Sequence, residues 1–263
     1  MKKRDKRKLI AALFVLLVLF CSGCGGAKTQ DEPADGISDN ISQTDQSRWE
    51  STEQYVLAVC PELQWADPDN ENLADMLQTQ CGGMMVQLSA GGLMGSGVIY
   101  GTEENNMVII TAAHVLAQAK DAVKITFFDG YEVESADFMA SVQSDVAVVR
   151  VSMEQIPEER LAKYYRVNVD NASYEGLETG YGCIVMGSRS GVAEDAYEGI
   201  ILDPWIYMED YGQHMIWVRA AGKAGMSGGG LFDRQGHYMG ILSGVNEDDE
   251  WAVVPLGLVQ AEL

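Results

Sequence analysis

The chain has 263 residues, of which 47% are hydrophobic and 22% charged, and it contains 28 glycines. That is the composition of a globular protein, long enough for a leader and one good-sized domain with an ample core. The formal net charge is −21; residues 1–24 hold six of the 18 basic residues and one acid, so the remainder carries −26. Such a surface repels nucleic acid and anionic lipid headgroups, which argues against either as a partner.

The N-terminus has the pattern of an export signal. A basic stretch at residues 2–8 precedes an apolar run at residues 9–20, and Cys21-Ser22-Gly23-Cys24 follows. The run is shorter than the roughly 20 apolar residues that span a bilayer, but it fits the core of a secretory signal. Ser22 and Gly23 before Cys24 resemble the cleavage box of bacterial lipoproteins. This resemblance implies a signal peptide at residues 1–23 and a lipid on Cys24, which anchors the protein to the cell membrane outside the cytoplasm.

Two other interpretations of this segment stay open: an ordinary secreted protein that is cut nearby, and an uncleaved anchor. Residues 24–47 are poor in apolar side chains and rich in Asp, Gln, Ser, Thr and Gly, which predicts a flexible tether. Residues 48–81 predict two short helices that lead into the domain. Cys60 and Cys81 are the only remaining cysteines close in sequence, and a disulfide between them would contribute about 3 kcal/mol. Cys183 lies in an apolar run and is predicted to be a buried free thiol.

After Gly82 the pattern changes to short apolar runs separated by turns, which is typical of an all-β domain. Asp129-Gly130 is a strong hairpin signal. A break near residues 151–178 divides the runs into two sets of six. The first set comprises residues 84–89, 94–100, 107–111, 123–128, 132–138 and 146–151. The second set comprises residues 182–187, 199–202, 215–219, 230–232, 238–242 and 251–254.

Three short segments beside these runs carry groups that together make a nucleophile. In chain order they are Thr111-Ala112-Ala113-His114, Ser144-Asp145-Val146-Ala147 and Gly225-Met226-Ser227-Gly228-Gly229. A serine hydroxyl is a poor nucleophile until an imidazole accepts its proton, and a carboxylate must fix the tautomer of that imidazole. The segments supply the imidazole of His114, the carboxylate of Asp145 and the hydroxyl of Ser227.

With the strand at residues 94–99 and the hairpin at residues 236–241, these motifs resemble the trypsin-like (chymotrypsin-fold) peptidase domain. The similarity covers residues from about 84 to 260 and is greatest to the bacterial HtrA/DegP-like branch. It implies two packed six-stranded antiparallel β-barrels, with short N-terminal helices and a short C-terminal segment. The domain would be residues 82–263, with one barrel at about 82–160 and the other at about 175–263.

The resemblance also implies roles for single residues. Ser227 would be the nucleophile, His114 the general base and later the acid, and Asp145 the group that orients His114. The backbone N–H groups of Gly225 and Ser227 would form the oxyanion hole. The strand predicted to pair with the backbone of the substrate contains Leu242, Ser243, Gly244 and Val245.

Two residues depart from the family pattern. Met226 replaces a polar residue, and Gly230 replaces a proline or alanine. Both predict a looser nucleophile loop, with an oxyanion hole that is malformed until substrate binds.

The other histidines, His214 and His237, are predicted to be solvated. No pair of His or Cys has the spacing of metal ligands, so neither a metal nor another cofactor is predicted.

The sequence therefore predicts a lipid-anchored serine endopeptidase that hydrolyses extracytoplasmic peptides and proteins through an acyl-enzyme. A solvated acidic shell explains the negative charge, although a preference for basic substrates stays open. The alternative function is a catalytically weak or inactive peptidase-fold protein that binds peptides at the cell surface.

Overall fold

Two antiparallel sheets make up the part of the chain that the structure, a computed structural model, describes: residues 82–188 and 194–263. Each predicted strand has a counterpart, and most bounds agree within two residues. The first sheet holds β1 (Met85–Ala90), β2 (Leu93–Glu103), β3 (Asn106–Ala112), β4 (Val123–Phe127), β5 (Glu132–Ser135), β6 (Phe138–Ser141) and β7 (Val146–Ser152).

The first sheet is open and has seven strands rather than the six predicted, in the order β5-β4-β1-β2-β3-β7-β6. The extra strand arises because the segment predicted at residues 132–138 breaks after Ser135. There the Ser135 hydroxyl donates to the Arg150 carbonyl and accepts from the Asp137 N–H. The chain therefore leaves β4, its partner before the break, and pairs with β7 after it.

The second sheet closes into a six-stranded barrel in the order β10-β13-β12-β11-β8-β9. Its β9 is far longer than predicted and continues through Pro204, which has no N–H for the ladder. The register with β10 shifts between Met215 and Trp217, so a bulge accommodates the proline. The strands are β8 (Gly182–Ser188), β9 (Glu194–Met208), β10 (Gln213–Ala220), β11 (Gly230–Asp233), β12 (Tyr238–Val245) and β13 (Glu250–Pro255).

Short helices connect and close the sheets. The connection between the sheets contains a 3-10 turn (Met153–Gln155), α1 (Glu158–Leu161) and α2 (Asn171–Glu175). It is pinned to both sheets, since the Val167 N–H donates to Ile99 and the Tyr238 N–H donates to Asn168. After β13 comes α3 (Leu256–Ala261), which Leu256 and Val259 anchor in the core.

Two groups of buried side chains form the core. The larger fills the first sheet and extends to residues of the second, such as Ile241 and Val254. The smaller fills the closed barrel and includes Leu242 and Val253. Neighbouring residues of β12 and β13 thus belong to different groups, because successive side chains of a strand point to opposite faces. The second sheet consequently has an apolar interior and an apolar outer face turned towards the first.

The prediction of a buried free thiol at Cys183 is confirmed. Burial raises the pKa of this thiol to about 12, so it stays protonated at neutral pH. The predicted signal peptide at residues 1–23, Cys24, the tether at residues 24–47, the helical lead-in at residues 48–81 and the cysteine pair 60 and 81 lie outside the described residues. Within the described ranges, no helix has the length and apolar character needed to cross a membrane.

Candidate active site

His114 lies where the first sheet ends. Strand β3 stops at Ala112, and a 3-10 turn, Ala113–Leu116, follows. The neighbours Ala113 and Val115 are buried, whereas 27% of the His114 side chain is exposed. The apolar flanks hold the backbone in the core, and the imidazole emerges at the edge of the sheet.

Asp145 lies beside His114 because β3 and β7 are neighbours. Their register pairs Ala112 with Val146, so the residue before β7 meets those that follow β3. The His114 Nδ1 is 3.0 Å from Asp145 Oδ2 and 3.1 Å from Oδ1. Because a carboxylate only accepts hydrogen bonds, this contact places the proton on Nδ1 and makes Nε2 the ring nitrogen that can accept an incoming proton.

The backbone around this contact is locked in three ways. The His114 N–H donates to Asp145 Oδ1 at 3.0 Å, and the Ala113 N–H donates to the Asp145 carbonyl at 3.1 Å. Asp145 itself has a φ of 54°, in the left-handed region that aspartate tolerates better than most residues. Any movement of the carboxylate would break both the ring contact and the bond from the His114 N–H, while the bond from Ala113 holds the backbone of Asp145.

A second hydroxyl holds the other side of the carboxylate. Ser243 on β12 is buried, and its Oγ donates to Asp145 Oδ2. The Tyr211 hydroxyl is hydrogen-bonded to Ser243 in turn, and burial together with the Asp145 charge raises the pKa of this phenol to about 12. Tyr211 therefore keeps its proton and remains a donor to the network at neutral pH.

The loop that carries Asp145 is tied to the C-terminus. The Glu262 Oε1, just beyond α3, accepts from Ser141 Oγ at 2.9 Å and from Ser144 Oγ at 2.7 Å. The Gln213 Nε2 donates to the Ser144 carbonyl at 3.0 Å. The sequence predicted only a short C-terminal segment. No sequence motif marks Glu262, so its contacts with Ser141 and Ser144 could not be predicted.

Replacing Glu262 with alanine should lower the free energy of unfolding by about 1–3 kcal/mol, since two hydroxyl donors lose a charged acceptor. Chemical denaturation of the full chain measures this. Glu262→Gln keeps the Oε1 acceptor and should recover most of the loss. Equal destabilisation by both variants would contradict an acceptor role for Oε1.

Ser227 lies on the loop between β10 and β11, and strands of both sheets hold its backbone. The Ser96 N–H from β2 donates to the Ser227 carbonyl at 2.7 Å, and the Gly228 N–H donates to the Leu242 carbonyl at 2.7 Å. The Ser96 Oγ donates to the Gly225 carbonyl at 2.8 Å. The loop is therefore fixed on both sides of the serine.

The same loop packs against the strand that leads to His114. A Cβ placed on Gly228 would lie 2.1 Å from the Ser96 carbonyl oxygen, 2.2 Å from Thr111 Oγ1 and 3.2 Å from the Ala112 nitrogen. The residue after Ser227 thus touches the backbone two residues before His114. All three predicted residues come from the junction of the two sheets: His114 and Asp145 are in direct contact, and Ser227 lies on the adjoining loop.

Gly228→Ala should destabilise the protein by about 2–6 kcal/mol, the combined cost of a strained backbone and of overpacking. Gly228 has a φ of +86° and no room for a methyl group. The matched control is Gly92→Ala, because Gly92 has a φ of +95° and nothing within 4 Å of the added Cβ. It should cost about 1 kcal/mol for the backbone alone. Equal losses in denaturant titrations would contradict the close packing of this loop.

The oxyanion hole is predicted at Gly225 and Ser227, which are both partly exposed. Gly225 has a φ of +97°, which a side chain would disfavour. Within the described residues, the N–H groups of Gly225 and Ser227 donate to no protein acceptor. Two adjacent free donors beside the serine hydroxyl suit an oxygen that develops negative charge.

The two residues that depart from the family pattern both lie in well-packed surroundings. The Met226 side chain is fully buried in the interior of the closed barrel. A Cβ on Gly230 would lie 2.5 Å from the Phe232 ring and 3.1 Å from the Tyr238 ring, so glycine is needed there for packing. Met226 thus holds the loop in the core, and glycine at position 230 leaves room for the Phe232 ring.

The four residues predicted to bind the substrate backbone fall into two pairs. The Leu242 N–H and carbonyl bond to Gly229 and Gly228, and the Ser243 side chain bonds to Asp145. Gly244 and Val245 are half-buried and lie past Ile241, where the pairing of β12 with β11 ends. Among the described strands only β13 still pairs there, so one edge of residues 243–245 is open to an added strand.

Neither of the other histidines is fully solvated, contrary to the prediction. The His237 Nδ1 is 2.8 Å from the buried Asp233 carboxylate. The His214 ring stacks on Trp205 with 4.8 Å between ring centroids and meets the edge of Tyr207. Over the described ranges, no group of three or more His, Cys, Asp or Glu side chains is arranged to hold a metal ion.

The family model for the trypsin-like peptidase domain matches residues 95–241, more than half of the chain. The chain is 29% identical over 164 residues to the serine protease Do-like HtrA of Bacillus subtilis. This match covers 59% of this chain and 34% of that protein. The chain spans about a third of the length of the curated relatives it matches.

Solved structures show the same fold. The inactive form of the Rv3671c protease superposes with a TM-score of 0.57 at 22% identity, covering 75% of this chain and 96% of that one. The HtrA-type protease AlgW with a tripeptide gives a TM-score of 0.56 at 22% identity, and the match covers 68% of this chain and 58% of that one. The predicted chymotrypsin-like fold is thereby confirmed, with a closed six-stranded barrel and an open seven-stranded sheet in place of the other barrel.

Proposed function

The chain belongs to the trypsin-like peptidase family, and from that premise we propose that it is a serine endopeptidase acting through an acyl-enzyme. The observation that carries the proposal is the contact between His114 Nδ1 and the Asp145 carboxylate at 3.0 Å, beside a loop that presents Ser227. Peptides and proteins are the proposed substrates. Support for this comes from the tripeptide in the related AlgW structure and from the open edge at residues 243–245.

In the first half of the reaction, Nε2 of His114 takes the hydroxyl proton as Ser227 Oγ bonds to the carbonyl carbon of the substrate. The carbonyl electron pair moves to oxygen, which accepts hydrogen bonds from the N–H groups of Gly225 and Ser227. Asp145 stabilises the imidazolium that forms. When the carbon–oxygen double bond returns, the carbon–nitrogen bond breaks and the leaving amine takes the proton from Nε2.

In the second half, water takes the place of the amine. Nε2 of His114 accepts a proton from water as its oxygen attacks the ester carbon, and the same two N–H groups hold the oxyanion. The bond to Ser227 Oγ then breaks, and the proton on Nε2 returns to that oxygen. The carboxylic acid leaves and the free enzyme is restored, so no other reactant is consumed.

A fluorophosphonate probe tests the nucleophile directly, because it phosphonylates only an activated serine. The full chain should be labelled at Ser227, and Ser227→Ala should abolish the label. Ser173→Ala is the control: this serine lies on α2 and hydrogen-bonds Asp170, and its loss should leave labelling unchanged. A folded wild-type protein that stays unlabelled would refute the proposal.

We place the enzyme on the outer face of the cell membrane, held by a lipid on Cys24. The support is the pattern of a basic stretch, an apolar run and Ser22-Gly23-Cys24. In a bacterial host supplied with an alkyne-tagged fatty acid, the wild type and Cys21→Ser should carry the tag, whereas Cys24→Ser should not. Retention of the tag in Cys24→Ser would exclude this anchor.

A further inference from the structure

The space beside the nucleophile loop bears on which peptide bonds the proposed peptidase accepts. The substrate residue that contributes the scissile carbonyl is called here the acyl-side residue. If Ser227 attacks that carbonyl and the substrate backbone pairs with residues 243–245, the acyl-side Cα lies between the loop and the end of β12. Its side chain must then enter the gap between residues 221–225 and residues 243–245.

Trp251 closes this gap on the side that faces the interior of the closed barrel. It lies on β13 opposite Val245, and directly opposed residues of an antiparallel pair point to the same face. A Cβ on Gly222 would lie 2.3 Å from Cζ2 of the indole, and the indole N–H donates to the Ala220 carbonyl at 3.2 Å. The ring therefore bridges from β13 to the segment that leads into the nucleophile loop.

The indole is not the wall of an open pocket, because only 1% of Trp251 is accessible to solvent. A pocket that reached the ring would expose its face. Ala220, Met226 and Leu242 around it are buried as well, whereas Gly222 and Val245 above it are half-exposed. The opening made by the described residues therefore ends at the level of Gly222, and the ring lies buried beneath that residue.

The indole of Trp251 fills the space that a side chain at position 222 would occupy. Any side chain at position 222 would need the space of the ring, since even a methyl group would overlap it. The space beneath Gly222 is filled by an indole rather than a carboxylate, and the only polar group of this indole already donates to a backbone carbonyl. A long basic side chain would have neither room nor a charged partner there, so the acidic composition of the chain does not set the specificity at this position.

We infer that Trp251 is the specificity-determining residue for the acyl side of the scissile bond and restricts it to glycine, alanine or serine. This inference rests on the proposed function and adds a substrate class to it. A leucine or phenylalanine at this position would have to displace a buried indole from its contacts with Gly222 and Ala220.

Fluorogenic peptides that differ only at the acyl-side residue test the inference on the full chain. The wild type should cleave the alanine peptide with a kcat/KM about 100-fold above the leucine and phenylalanine peptides, the range that steric selection reaches. Trp251→Val should lower the ratio of kcat/KM for the alanine peptide to that for the leucine peptide at least about 10-fold. Trp251→Phe, which keeps a flat ring, should retain the preference for alanine.

A fluorophosphonate carrying no peptide side chain separates the two proposals. If the wild type is labelled at Ser227 but cleaves leucine or phenylalanine peptides as fast as alanine peptides, the role of Trp251 is overturned and the peptidase stands. If the folded wild type is not labelled, both proposals fail. The comparison of peptides on the wild type needs no substitution. It can therefore refute the inference even if Trp251→Val does not fold.

Discussion

Replacing His114 with alanine should lower kcat by about 10⁶-fold, which is the loss seen when the base or the nucleophile of a serine peptidase is removed. Without the imidazole, no group takes the proton from Ser227 or returns it to the leaving amine. The fold should survive, because the His114 side chain is 27% exposed and the turn is anchored by its buried neighbours. Hydrolysis of casein by the purified chain, with thermal unfolding measured in parallel, checks both statements.

A double variant that combines His114→Ala with Ser227→Ala makes this test sharper. Because Ser227 and His114 act as one unit, removing both should cost no more than removing either alone. His237→Ala is the matched control, since this ring also pairs with a buried carboxylate, that of Asp233, but takes no part in the proposed reaction. A folded His114→Ala enzyme with undiminished turnover would rule out His114 as the base. A wild type that binds peptides without hydrolysing them would favour the alternative of a binding protein.

Asp145→Asn should lower kcat by about 10⁴-fold while leaving the structure in place. Asparagine has nearly the same shape, and its Oδ1 can still accept the His114 N–H, which donates to Asp145 Oδ1 at 3.0 Å. The neutral amide cannot stabilise an imidazolium. Its NH₂ group would also face Nδ1 as a donor, which favours the tautomer with the proton on Nε2 and removes the base.

Asp233→Asn provides the control for this substitution. Asp233 pairs with His237 at 2.8 Å and is buried, so the same exchange occurs in a similar setting away from Ser227. It should leave kcat within a few fold of the wild type. Steady-state kinetics of both variants at one pH, together with circular dichroism, gives the comparison. Equal losses in the two variants would show that a change of buried charge, rather than the orientation of His114, causes the effect.

Local patterns were sufficient to predict most of the fold. Strands bounded by turns, such as β3 and β8, were predictable because each contains a short continuous apolar run with β-branched residues, which is typical of a buried strand. The break between β5 and β6 was missed, because the hydrogen bond from Ser135 to Arg150 joins residues 15 positions apart. The extent of β9 was underestimated, because Pro204 indicates a strand end unless the bulge opposite it is known.

Local motifs were enough to predict the reacting groups: an imidazole, a carboxylate and a hydroxyl, each at a strand end or in a glycine-rich turn and in the order of a known family. The groups that surround them could be found only from the way in which the two sheets pack. This packing brought Ser243 onto Asp145, Glu262 onto the loop before it and Trp251 beneath Gly222. These contacts join segments that lie far apart along the chain. Side-chain contacts of this kind depend on how the two sheets pack, and packing leaves no periodic or motif signal in the residues themselves.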